Sequence, residues 1–140
     1  MTRSKNNDLW AEIPAVTELS PKELMKEQAA YLKERTKGLL TAEVVTSSYY
    51  DLSFMEVGEP STPNNLSLTH AFYLAVPTIK YRYELFTVKH DVLPYPAQFS
   101  YESKLVSVKD EKQFLEVLKK ILSSERTQRI LSSLLSQAKA

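Results

Sequence analysis

Apolar residues recur every three to four positions near both ends of the chain and every second position between them, and that change of period predicts the layout. Near the N-terminus, Leu24, Met25, Gln28, Ala29 and Leu32 mark one helical face, while Lys22, Lys26, Lys33 and Glu34 fall largely elsewhere. Ser20 can cap this helix, Pro21 suits its first position, and Glu23 completes a capping box. Leu19 and Leu24 are spaced as a hydrophobic staple, and Gly38 stands where a C-terminal cap belongs. A helix over residues 21–37 is expected.

After Gly38 the period becomes two. Leu40, Ala42, Val44 and Thr46 alternate with Thr41, Glu43, Val45 and Ser47, and the pattern runs on through Tyr49, Tyr50, Leu52 and Phe54 with a bulge or turn near Ser47–Asp51. Residues 58–65, GEPSTPNN, read as a loop. Leu66, Leu68, His70, Phe72, Leu74 and Val76 form a strict second strand, with a bend at Pro77–Thr78. In the third strand Ile79, Tyr81, Tyr83 and Leu85 alternate with Lys80, Arg82 and Glu84. Pro94 and Pro96 make residues 91–96 a loop, because proline cannot donate to a central ladder. Phe99, Tyr101, Ser103 and Leu105 supply a fourth strand that ends near Val108.

Asp110 and Gln113 then open a helix whose stripe is Phe114, Val117, Leu118 and Ile121. At roughly 100° per residue, the later stripe of Ile130, Leu131, Leu134 and Leu135 is rotated far from the first, by roughly 120°. One straight helix would bury two different faces, so two helices with a break at Ser123–Ser124 are expected. The order is α-β-β-β-β-α-α: an α+β domain with a four-stranded antiparallel meander, one helix before it and two after. The whole chain, 1–140, reads as a single domain with a mobile N-terminus (1–8) and an apolar arm (9–19), the latter packed along the domain or against a partner.

Composition narrows function mainly by exclusion. With two glycines, Gly38 and Gly58, the chain has no glycine-rich phosphate loop. Cysteine is absent, which removes disulfides, thiol nucleophiles and cysteine-bound zinc. Neither a signal peptide nor a membrane span is visible, so the expected location is cytoplasmic. The net charge of +1 is spread evenly, with a slightly acidic central region and no basic stripe, which disfavours nucleic acid as a partner.

Candidate chemistry is sparse. His70 lies on the apolar face of the second strand and reads as a satisfied core histidine. His90 precedes Asp91, but adjacent strand residues point to opposite faces, so the two side chains are not expected to meet. The pair lacks the spacing of a zinc site, and no metal or cofactor is expected. Glu56 and Glu59, flanking Gly58, read as solvated turn residues rather than an acid–base pair. Ser47–Ser48 and Ser123–Ser124 lack the context of a nucleophile, so no catalytic residue is assigned.

The aromatic residues carry more. Only Trp10, Tyr31 and Phe114 fall outside the strand region, and Tyr73, Tyr81 and Tyr83 suit a half-wet binding face as well as a stable sheet. The stripe of Ile130, Leu131, Leu134 and Leu135 is a second interaction surface if the preceding helix already covers the sheet, with a second copy the simplest partner. Residues 24–40, LMKEQAAYLKERTKGLL, resemble a stretch found in small uncharacterised bacterial proteins; this implies a bacterial, cytoplasmic, stand-alone protein and no activity. The reading is a non-enzymatic protein-binding module (adaptor, chaperone-like, or immunity or defence accessory factor) that engages a protein partner or forms a homodimer. A nucleic-acid accessory protein using Lys80, Arg82, Arg126 and Arg129 is the second reading, and a small enzyme using His90 or His70 the third.

Overall fold

The computed structural model describes residues 7–15, 17–50 and 66–140. The first helix, α1 (Pro21–Arg35), starts at the expected capping box: Ser20 accepts from the Glu23 amide while the Glu23 carboxylate accepts from the Ser20 amide. It ends two residues early in a Schellman motif, with the Gly38 amide donating to the Lys33 carbonyl and the Lys37 amide to that of Glu34. The left-handed position next to the cap is therefore Lys37 (φ 53°), and Gly38 follows at φ 82°.

Five strands follow in chain order as an antiparallel sheet, β1 (Thr41–Tyr50), β2 (Leu66–Val76), β3 (Tyr81–His90), β4 (Ala97–Tyr101) and β5 (Lys104–Val108). The expected continuation of the first strand through Leu52 and Phe54, the loop at 58–65 and the Glu56/Glu59 pair lie outside the described residues. The α+β class, the antiparallel sheet and the three helices stand, but the strand count does not: the expected fourth strand is two. Glu102 (φ 48°) and Ser103 (φ 63°) both adopt left-handed backbone and turn the chain between Tyr101 and Lys104, which pair. Such a two-residue turn normally announces itself as Asn-Gly or Asp-Gly, and here it carries neither.

A second departure lies in β3. Phe72 pairs with Phe86 but Tyr73 with Glu84, so Leu85 is an extra residue in the ladder. This bulge changes the phase of the strand. Tyr81 and Tyr83 share the helix-side face with Phe86, Val88 and His90, and the bulged Leu85 borders that face too, instead of the alternation continuing through Thr87 and Lys89.

The helices α2 (Glu111–Leu122) and α3 (Glu125–Lys139) close the chain, separated at Ser123–Ser124. The break is built by hydroxyls. Ser123 donates to the Lys119 carbonyl, Ser124 to that of Ile121, and Ser124 in turn accepts from the Thr127 amide as cap of α3. The core sits between sheet and helices. Phe72, Phe86 and Phe99 run across three strands to Phe114 of α2, with successive ring centroids 5.0, 5.7 and 4.7 Å apart. Leu24 and Met25 of α1, Leu118 and Ile121 of α2, and Leu134 of α3 complete it.

Candidate functional site: an open cleft and a buried histidine pair

The three helices do not close over the sheet. Between α1 and the α2–α3 pair a cavity of ≈ 320 Å³ reaches down to the sheet, its floor formed by Leu32, Phe72, Leu74, Leu85, Leu122 and Leu131. A second compartment of ≈ 460 Å³, bordered by Leu115 and Lys119, shares Gln28, Arg35, Leu122 and Gln128 with the first, so the two form one cleft. Its rim carries Arg35 and Lys119. Among the described residues that line it there is no aspartate or glutamate, and neither cation forms an ion pair among those residues. The cleft is thus apolar at the floor, polar through Gln28 and Gln128, and positive at the edge. The serine-capped break is what shapes this wall: it ends α2 at Leu122 and turns α3 so that Thr127, Gln128 and Leu131 face α1.

At the other end of the sheet the two histidines meet. Both are buried, at 2% and 8% exposure, with His70 Nε2 and His90 Nε2 2.8 Å apart. His70 Nδ1 lies 2.9 Å from Thr46 Oγ1, and His90 Nδ1 lies 2.6 Å from the Asp91 backbone oxygen. One arrangement of protons satisfies all three contacts with both rings neutral. The Asp91 carbonyl can only accept, so His90 Nδ1 carries a proton and its Nε2 a lone pair. His70 Nε2–H then donates to that lone pair, and His70 Nδ1 accepts from the Thr46 hydroxyl. Burial, the neighbouring His90 and the charge of Lys22 lower the His70 pKa to about 4, which keeps the ring neutral at ordinary pH. The chain can take up one proton if the Thr46 hydroxyl rotates to accept; a second would set two N–H groups against each other. No third metal-ligating residue joins the pair among the described residues.

The structure distributes the other candidates. Leu134 is buried at 6% exposure, and Ile130, Leu131 and Leu135 are partly buried against the core, so the late stripe packs on the chain's own sheet. Of these four, Leu131 also lines the cleft. The tyrosines divide between two faces. Tyr73 lies on the face without helices, where the Arg82 guanidinium stacks over its ring at 4.3 Å and pairs with Glu43. Tyr81 and Tyr83 are on the helix side, and the Tyr83 hydroxyl accepts from Arg126. Arg129 pairs with Glu125. Three of the four cations named for a nucleic-acid surface are therefore engaged within the chain.

The N-terminal arm is held at its root, and its described residues farther out, 7–15, are exposed. The Leu19 amide donates to the Glu111 carboxylate, the Glu111 amide to the Glu18 carboxylate, and the Tyr95 hydroxyl to the Leu19 carbonyl. Burial, then the carboxylates of Glu111 and Glu18, push the Tyr95 phenol upward, so it stays a donor. Farther out, Leu9, Trp10 and Ile13 are 91%, 81% and 72% exposed. Sequence periodicity gave no hint of the cleft, whose lining comes from five separate elements, α1, β2, β3, α2 and α3. The histidine contact had a signal: Phe86, Val88 and His90 alternate among themselves, one residue out of phase with Tyr81 and Tyr83.

No family model, curated protein or solved structure matches the chain, so the likeness of residues 24–40 to small bacterial proteins assigns no family. Among the described residues no helix is long and apolar enough to cross a membrane.

Proposed function

We propose that this chain is a non-enzymatic protein-binding module that takes an apolar segment of a partner into the cleft between α1 and the α2–α3 pair. One observation carries the reading: an open, apolar-floored cleft with a positive rim and, among its described lining residues, no acidic group. Concave apolar sites with a few converging polar groups are where recognition is usually built. The exposed ring of Tyr81 is a lesser contact on the same reading, since tyrosine serves well at a partly wet interface. The late stripe contributes through Leu131 at the cleft floor.

The histidine pair is the natural seat of an enzymatic alternative. Its three contacts form a closed, satisfied neutral chain, which is what a stabilising core network requires and leaves no lone pair directed at a substrate. A photo-crosslinking residue at Gln128, on the cleft rim, tests the binding reading in cells that make the chain, with Glu84 on the open sheet face as control position. Protein adducts at position 128 that are absent at 84 are the expected result. Equal labelling at both positions, or none at 128, rejects the cleft as a docking site.

A further inference from the structure

We infer that the occupant of the cleft is the N-terminal arm of a second copy of this chain, residues 8–13, exchanged reciprocally to make a dimer. The inference rests on the cleft being a protein-docking site and names its partner. The arm has what the cleft lacks. Leu9, Trp10 and Ile13 present large apolar area to solvent, with no cover from their own domain among the described residues. Asp8 and Glu12 flank them, while the cleft rim offers Arg35 and Lys119 and its described lining no acid. Acidic–apolar meets basic–apolar, so the two surfaces are complementary in both charge and polarity.

Geometry supports exchange. Residues 9–15 form no helix or strand, and Pro14 biases Ile13 toward extended backbone. The root at Glu18 and Leu19 is held by two hydrogen bonds with Glu111 at the start of α2 and one from Tyr95, so the arm leaves from a fixed point. From Glu18 to Trp10 an extended chain spans about 26 Å, enough to cross to a neighbouring molecule. Tryptophan is the residue most often found to anchor an interface, and a cavity of ≈ 320 Å³ accommodates an indole. A two-fold axis makes the contact twice and closes the assembly, whereas an unclosed arrangement would grow without limit.

Trp10 is the single tryptophan of the chain, so its fluorescence reports the contact directly. Sedimentation velocity and Trp10 emission are followed together as protein concentration is raised. The expected result is a dimer whose formation shifts emission to shorter wavelength in step with its population. Trp10→Ala should abolish the dimer, and Arg35→Glu should weaken it about tenfold, as attraction at the rim becomes repulsion. A mixture of Trp10→Ala (cleft intact) with an Arg35→Glu, Lys119→Glu variant (arm intact) should form a heterodimer that neither makes alone. A monomer with solvent-exposed Trp10 at every concentration overturns the inference. So does a dimer indifferent to Trp10→Ala, or a blue-shifted emission independent of concentration, which would seat the arm in its own cleft. A Gln128 adduct with a different protein, from a chain that sediments as a monomer, would keep the docking reading and remove the arm; no adduct and no dimer would remove both.

Discussion

His70 ties stability to pH at the scale of one residue. Its pKa lies at about 4 in the fold against 6.5 when solvated, so the folded state holds the neutral ring more firmly than the unfolded state does. The stabilisation is full above pH 6.5 and is lost as pH falls toward 4, by roughly 3 kcal/mol in all. Urea midpoints measured across that window should fall steeply for the native chain and less for His70→Gln; parallel curves would show that the ring does not set the slope. Core truncations act independently of pH. Phe72 and Leu118 are both buried, and each change to alanine should cost about 3 kcal/mol through lost burial and the cavity left behind. Leu134→Glu belongs with them, because it places an unpaired carboxylate in the core; circular dichroism should show loss of the fold. That His70 is a core residue was legible from its place between Leu68 and Phe72. That it meets His90 was not, since the phase of β3 as read from Tyr81 and Tyr83 points His90 away.

Element boundaries were legible wherever a side chain bonds its own backbone. Ser20 with Glu23, and Asp110 with Gln113, cap α1 and α2 at the expected positions. The phase argument at Ser123–Ser124 succeeded for the same local reason: the hydroxyls there satisfy carbonyls that end one helix and an amide that starts the next. Ser124→Ala should therefore cost about 1 kcal/mol in denaturant unfolding. The β4–β5 turn went unread because two non-glycine residues hold left-handed backbone there. Ser103→Gly removes that conformational penalty and should stabilise the chain by about 1 kcal/mol; an unchanged or lower midpoint would mean that the extra freedom of glycine in the unfolded chain offsets the relief.

At the scale of the whole molecule, the cleft exists because α1 packs chiefly on β1 and makes few contacts with α2 and α3. Filling it should stabilise the chain without altering the fold. Gln28→Phe places a ring over the apolar floor and is expected to raise the thermal midpoint by a few degrees, as a cavity-filling change does. The same substitution should also change adduct formation from neighbouring cleft positions if the cleft is the docking site.

The chain by itself determined the order of helices and strands, the antiparallel character of the sheet, the capped ends and most of the core. Those features depend on hydrophobic period and on bonds between residues three or four apart, which a linear reading contains. Tertiary structure decided the rest. The bulge at Leu85 turned His90 toward His70, a left-handed pair at Glu102–Ser103 made one strand into two, and the spacing of three helices over the sheet left a cleft. Each depends on how separate segments fit against one another in space, and residues as far apart as Gln28, Phe72 and Leu131 carry no mark of that fit in their own neighbourhoods.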